Sequence, residues 1–271
     1  DLGKLKAMVA TGNPEWDAMT IMPDWVIRSA KQGLLEPLDY TKIDKSVVVP
    51  EATHSHGIGL HYWSTVKAYN KEKWPAGDHP KTWKDFWDVK RFPGGRALWN
   101  YPHGNLEFAL MADGVPPDKL YPLDVDRAFR KLNEIKPHIT KWYDSGAQQV
   151  QLLVDKQVDL ASAWSARIIT VQRQGAKLGL EWTEALLDMD MWAVVKGSRH
   201  KDAAMRLIAS SLDAKKQGTY ADAFPYGPVI PKALEFISPA SAQELPSHPD
   251  NLKKQNAFIP GFKARNFCGE G

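Results

Sequence analysis

The stretch that decides the fold runs Ala147-Gln-Gln-Val-Gln-Leu-Leu-Val-Asp155-Lys-Gln-Val-Asp-Leu-Ala-Ser-Ala-Trp164-Ser-Ala-Arg167, and it is answered further on by Asp188-Met-Asp190-Met-Trp192-Ala-Val-Val-Lys-Gly197. The first part reads as a helix over 147–155 leading into a strand over 158–164 whose last residue is a tryptophan. The second reads as a strand that carries two carboxylates and another tryptophan. A ring face attracts a cation and a carboxylate neutralises it, so aromatic and acidic residues at strand ends suit a pocket for an organic cation. No nucleophile motif, metal cage or phosphate loop accompanies them, which points to binding rather than catalysis.

Outward from this stretch the same alternation continues. Helices are expected at 2–9 (with Asp1 as the N-cap and Gly12 as the stop), 24–32, 81–89, 106–113, 125–135, 167–175, 201–212 and 214–224. Strands are expected at 17–22, 57–63 continuing through 66–70, 96–101, 139–143, 178–182 and 191–195, and residues 36–55 read as loop. Strands alternating with helices imply an α/β fold with mainly parallel sheets.

Composition narrows the function classes. The 271 residues can bury a large core in one or two domains, and 43% hydrophobic with 25% charged residues is ordinary for a globular chain. A net charge of +3, spread without a basic run, argues against nucleic acid or an anionic membrane surface as partner. Cys268 is the one cysteine, which excludes an internal disulfide framework, a cysteine zinc site and a redox pair. No apolar run approaches the roughly 18 residues of a transmembrane helix. A start at Asp1 rather than Met suggests a processed chain or a fragment.

Several further stretches carry a resemblance. Asn13-Pro-Glu-Trp-Asp17 precedes an apolar strand, and Gly57 to Lys71 reads as a strand running into Ala68-Tyr-Asn70. Pro80-Lys-Thr-Trp83-Lys-Asp-Phe-Trp-Asp88, Phe92-Pro-Gly-Gly-Arg96, Leu152 to Asp159, Met189 to Ser198 and Tyr226-Gly-Pro228 follow in order. Together they resemble the periplasmic substrate-binding proteins of ABC importers, of the polyamine (spermidine/putrescine) type. The resemblance implies a two-lobed type II binding protein with a two-crossover hinge. One lobe would comprise residues 1–65 and 190–271, the other 66–189. It further implies a monomer in the periplasm, signal peptide removed, needing no cofactor and partnered by an inner-membrane permease. The family's usual N-terminal strand–helix–strand unit is missing from this sequence.

The resemblance also suggests ligand contacts in the inter-lobe cleft. Trp164 ends a strand before a helix, where ligands sit in open α/β sheets, and matches a tryptophan that lies against the ligand's alkyl chain. Asp190 matches an amine-binding aspartate, and Asp188, two residues away on an extended strand, faces the same side. Asp24, Trp25, Trp63, Tyr226, Trp142 and Gln149 complete the candidates, core packing being the competing reading of each aromatic. Near Asn100, where polyamine binders offer acidic residues for a second amine, the nearest carboxylate is Glu107, and Ser165-Ala166 replaces the usual Asn-Gly. These departures leave room for a smaller cation or another nitrogenous, amino-acid-like or sugar solute. His54, His56 and His61 invite a metal, but His61 would point away from the other two. A glycoside-acting enzyme built on Glu181 and Asp188 lacks any fixed carboxylate separation.

Overall fold

A computed structural model describes residues 2–75 and 77–257. The expected cap at Asp1 and the single cysteine, Cys268, lie outside the described residues. The chain divides into two compact units, one built from the residues up to Trp63 and from Asp188 to Asp250, the other from Ser64 to Leu187 with Asn251–Asn256.

The first unit opens with α1 (Leu2–Ala10), β1 (Ala18–Ile21), α2 (Pro23–Lys31) and β2 (Leu35–Glu36). Pro23 starts α2 where its missing N–H costs nothing, and Val26 and Ser29 face inward. The short β3 (Thr53–His54) pairs with β4 (Gly57–Asn70), a 14-residue strand that carries the chain into the second unit.

The second unit holds α3 (Trp83–Trp87), β5 (Arg96–Trp99), α4 (Pro102–Ala112), α5 (Val125–Ile135), β6 (Ile139–Tyr143), α6 (Gly146–Val154), β7 (Leu160–Trp164) and α7 (Ser165–Arg173). Thr82 and Asp85 cap α3 reciprocally, while Ser145 caps α6 by accepting from the Gln148 N–H at 3.3 Å. In β7, Ala161, Ser162 and Ala163 are nearly solvent-free, and their small side chains let Tyr143, Leu153, Val158 and Ile168 close over the sheet. β5 pairs in parallel with β6 and β7, so the carboxyl ends of these strands put Trp99 and Trp164 at one edge.

The chain returns through β8 (Leu178–Val195), an 18-residue strand that crosses back at Leu187/Asp188. In the first unit β8 pairs antiparallel with β1 and β2. Then come α8 (Lys201–Ser211), α9 (Ala214–Ala223), β9 (Gly227–Pro228), α10 (Pro239–Glu244), α11 (Pro249–Leu252) and β10 (Gln255–Ala257).

Two expectations are corrected. The sheet is mixed rather than mainly parallel, because the crossing strands β4 and β8 enter antiparallel pairings with β7, β9, β1 and β2. The two strands expected at 178–182 and 191–195 are one. Residues Ala185 to Met189 in its middle are all buried, so the alternation that would have marked them as strand is absent.

Candidate functional site

The first unit assembles its group around Asp190. Asp190 and Trp192 alternate onto one face of β8 and both remain partly exposed, whereas Met189 and Met191 are buried. Across from them, β4 pairs with β9 in the register His61↔Pro228 and Tyr62↔Gly227. That register seats the Tyr226 ring on His61 with centroids 4.1 Å apart, and Tyr220 of α9 stacks on the same imidazole at 5.9 Å. Gly227 is required here, since a Cβ would fall 2.5 Å from Ser247 Oγ. His61 Nε2 meets Asp190 Oδ2 at 3.3 Å, with the imidazole 9% and the carboxylate 31% exposed. The imidazole therefore anchors a carboxylate that still faces outward. Burial, helped by Tyr226 and Asp190, pushes the Tyr220 hydroxyl up to about 12, so it remains a neutral hydrogen-bonding group. His61, Trp192, Gln217, Tyr220 and Tyr226 line a cavity of about 340 Å³ within this unit.

Asp188 behaves differently from Asp190. It is 2% exposed, and its Oδ1 accepts from the Met189 N–H at 2.7 Å. On α2, Asp24 Oδ2 meets Arg28 at 2.5 Å, and the same guanidinium lies over the Trp25 ring at 5.7 Å. Asp24 Oδ1 is buried and receives no hydrogen bond among the described residues. Trp63, at the end of the first unit's part of β4, is 7% exposed.

The second unit assembles its group around Trp164, which ends β7 and N-caps α7. Its N–H donates to Oε1 of the wholly buried Gln149 at 3.0 Å, and its ring meets Trp99 edge-to-face with centroids 5.7 Å apart. Trp99 in turn contacts Tyr101 and His103 at the start of α4. Gly146 forms the floor, because a Cβ there would come within 2.2 Å of Arg167 Nε and 2.4 Å of Trp164 Cζ3. Trp142, half-buried on β6, makes none of these ring contacts.

Sequence reasoning missed Arg167. Its guanidinium lies 5.7 Å from the Trp164 ring centroid, is exposed, and forms no ion pair among the described residues. It stands in the first turn of α7, where free backbone N–H groups already favour an anion. The signal was present as an arginine three residues after the strand-end tryptophan. His61, which the sequence suggests as a metal ligand, has Asp190 as its partner. No group of three or more metal-ligating side chains occurs among the described residues. Glu107 is also relocated: it is 1% exposed, burial raises its carboxyl above the usual range, and Tyr121 donates to it at 3.1 Å. The carboxylate beside Asn100 is Asp144, which accepts from the Asn100 amide at 3.0 Å.

A family model described as bacterial extracellular solute-binding protein matches residues 1–250. The chain belongs to that family. It is a solute-binding protein and not an enzyme. It is 36% identical over 268 residues to the gamma-aminobutyric acid-binding protein of Pseudomonas aeruginosa, covering 97% of this chain and 75% of that one. Among solved structures it resembles an ABC transporter substrate-binding protein from Bradyrhizobium japonicum, with a TM-score of 0.89 and 41% identity over 97% of this chain and 84% of the other. The binding protein MotA of A. tumefaciens, solved in complex with glucopine, gives a TM-score of 0.90 and 32% identity over 98% and 83% of the two chains. The fold is the α/β periplasmic binding protein fold with an open mixed sheet. The spermidine/putrescine-binding protein PotD of Streptococcus pneumoniae shares that fold at a TM-score of 0.75, but at 16% identity it says nothing about the solute. No helix among the described residues is long and apolar enough to cross a membrane.

Proposed function

We propose that this protein is the periplasmic receptor of an ABC importer and hands its solute to a membrane permease. The solute is a small zwitterionic amine, amino-acid-like rather than a polyamine. One observation carries the choice: the exposed guanidinium of Arg167, unpaired among the described residues, stands against the Trp164 ring. A solute bearing only ammonium groups would be repelled there, whereas a carboxylate would gain charge-assisted hydrogen bonds. The ammonium end suits Asp190, whose outward carboxylate is flanked by Tyr220, Tyr226 and Trp192. The names of the relatives agree, since gamma-aminobutyric acid has an ammonium at one end and a carboxylate at the other.

The polyamine reading retains one specific support, the exposed Asp144 held by Asn100, which could serve a second amine. Titration calorimetry with 4-aminobutyrate, putrescine and spermidine decides between them. The expected outcome is binding of 4-aminobutyrate alone, weakened by at least about tenfold in Asp190→Asn, the usual result of removing one partner of a desolvated charge pair. Tighter binding of putrescine or spermidine than of 4-aminobutyrate would overturn the reading.

A further inference from the structure

We infer that His61 is a positioning residue that couples solute binding to the loss of a proton, because its imidazolium and the solute's ammonium compete for Asp190. The inference rests on the proposed function, which seats the amine at Asp190.

Each element packed against the imidazole brings a titratable or charged group to it. From β8 comes Asp190, the ion-pair partner of His61 among the described residues, with its Oδ2 3.3 Å from Nε2. Tyr226, just before β9, lays its ring 4.1 Å from the imidazole centroid. From α9, Tyr220 stacks at 5.9 Å, and Lys216 lines the same cavity as His61. Between about pH 5.5 and 8 an imidazole changes charge, whereas phenols and ammonium groups titrate higher and carboxylates lower. The Tyr220 hydroxyl stands higher still, at about 12. His61 is therefore the member of this group that responds to a proton in that range.

The surroundings of the ring oppose one another. With the neutral ring's proton on Nε2, toward the carboxylate, a second proton falls on Nδ1. That atom is buried and has no hydrogen-bond partner among the described residues, so burial works against the cation. The Asp190 carboxylate and the tyrosine ring faces work for it. An ammonium arriving at Asp190 engages that carboxylate and sets a like charge near the ring. The main support of the imidazolium is then withdrawn while the burial of Nδ1 remains, so the proton leaves as the solute binds. Linkage makes the effect reciprocal. Acid that charges His61 turns Asp190 toward the imidazolium and weakens its hold on the amine, whereas at neutral and higher pH the carboxylate serves the solute.

Calorimetry of 4-aminobutyrate on the full chain, at about pH 8 and about pH 5.5 and in buffers of differing ionisation enthalpy, tests the coupling, because both ends of the probe stay charged across that range. The parent should bind at least about fivefold more tightly at the higher pH. The buffer series near pH 6.5 should show release of about 0.3 of a proton or more per solute, the slope to which a fivefold change over that range corresponds. In His61→Gln, whose amide reaches toward Asp190 but never carries charge, the ratio of the two affinities should fall to about twofold or less, whatever the affinity at either pH. A merely structural role would lower both affinities and leave their ratio unchanged. If His61→Gln does not fold, the proton count in the parent decides alone. Equal binding at the two pH values, no proton release, or an unchanged ratio in His61→Gln overturns the coupling and leaves the proposed function standing. No binding of 4-aminobutyrate, or binding that ignores Asp190→Asn, strikes the proposed function and the coupling with it.

Discussion

Gly146→Ala is a one-carbon change whose effect can be worked out from the packing. Gly146 is the first residue of α6 and its backbone is ordinary, so alanine is conformationally acceptable and gains at most about 1 kcal/mol of helix propensity. The space is what forbids it. The added Cβ would lie 2.2 Å from Arg167 Nε and 2.4 and 2.6 Å from two carbons of the Trp164 ring. The arginine can swing away, being long and exposed. The indole has less freedom, because its backbone N–H is fixed by Gln149 and its ring abuts Trp99. Restoring normal contact moves the ring by about 1 Å, and overpacking of this kind costs about 1–3 kcal/mol. Propensity recovers part of that, leaving a net destabilisation of about 0–2 kcal/mol. Affinity should suffer more than stability, since both Trp164 and Arg167 are displaced from the proposed carboxylate end of the solute. A loss of about tenfold for 4-aminobutyrate corresponds to about 1.4 kcal/mol. Thermal unfolding and calorimetry on the same preparation separate the two effects. A variant with a raised melting temperature and parental affinity would refute the reasoning, because propensity alone would then describe the site.

Other perturbations test the framework around the two groups. Gln149→Met removes the acceptor of the Trp164 N–H and should lower unfolding free energy by about 1–3 kcal/mol in denaturant titrations, as an orphaned buried donor does. Lys67 is fully buried on β4, its ammonium lying 4.5 Å from the Trp83 ring centroid, and burial pushes it down to about 8 against the pull of Glu184, Glu181 and Asp85. Between about pH 8 and 10.5 the unfolded chain then binds more protons than the folded one. Stability relative to Lys67→Met should therefore rise with pH across that window, by an amount on the order of 3 kcal/mol, and a falling difference would contradict the assignment. Glu36 gives the same sign of slope in the acid range, because its carboxyl too is held below its ordinary value, here by favourable partners. Burial raises it, but the Gly197 N–H with Lys201 and Lys196 outweighs burial and holds it at about 2. Its contribution, about 1–2 kcal/mol after allowing for solvent at the lysines, should be present above about pH 4.5, vanish toward pH 2, and be missing in Glu36→Gln.

Much of this architecture is legible in the order of residues. The helix expected at 147–155 is Gly146–Val154, and the strand expected at 158–164 is Leu160–Trp164, because a Ser145 cap and a run of small apolar residues are local signals. Local signals fail where a strand is buried on both faces, which is why β8 reads as two short pieces. They fail equally for partners distant in sequence. His61 reaches Asp190 because β4 and β8 are neighbours in the sheet, and the carboxylate beside Asn100 comes from Asp144 rather than the nearby Glu107. Asp188 and Asp190 look equivalent in sequence, but Asp188 lies within the buried middle of β8 and Asp190 just beyond it, so only the second remains open. Arg167 does not stand out in the sequence, because an arginine in the first turn of a helix is commonplace. Its meaning appears only once the ring beside it and the lack of an ion pair among the described residues are seen.

The central claim is that Arg167 makes this a receptor for a carboxylate-bearing amine. The most direct measurement uses 4-aminobutyrate and putrescine, chains of nearly equal length that share one ammonium and differ in the charge at the other end. Their affinities are compared in the parent protein and in Arg167→Glu. The parent should prefer 4-aminobutyrate, and the variant should reverse that order, each by at least about tenfold, since reversing a charge turns an attraction into a repulsion. A parent that prefers putrescine, or a variant that keeps the parental order, would contradict the account.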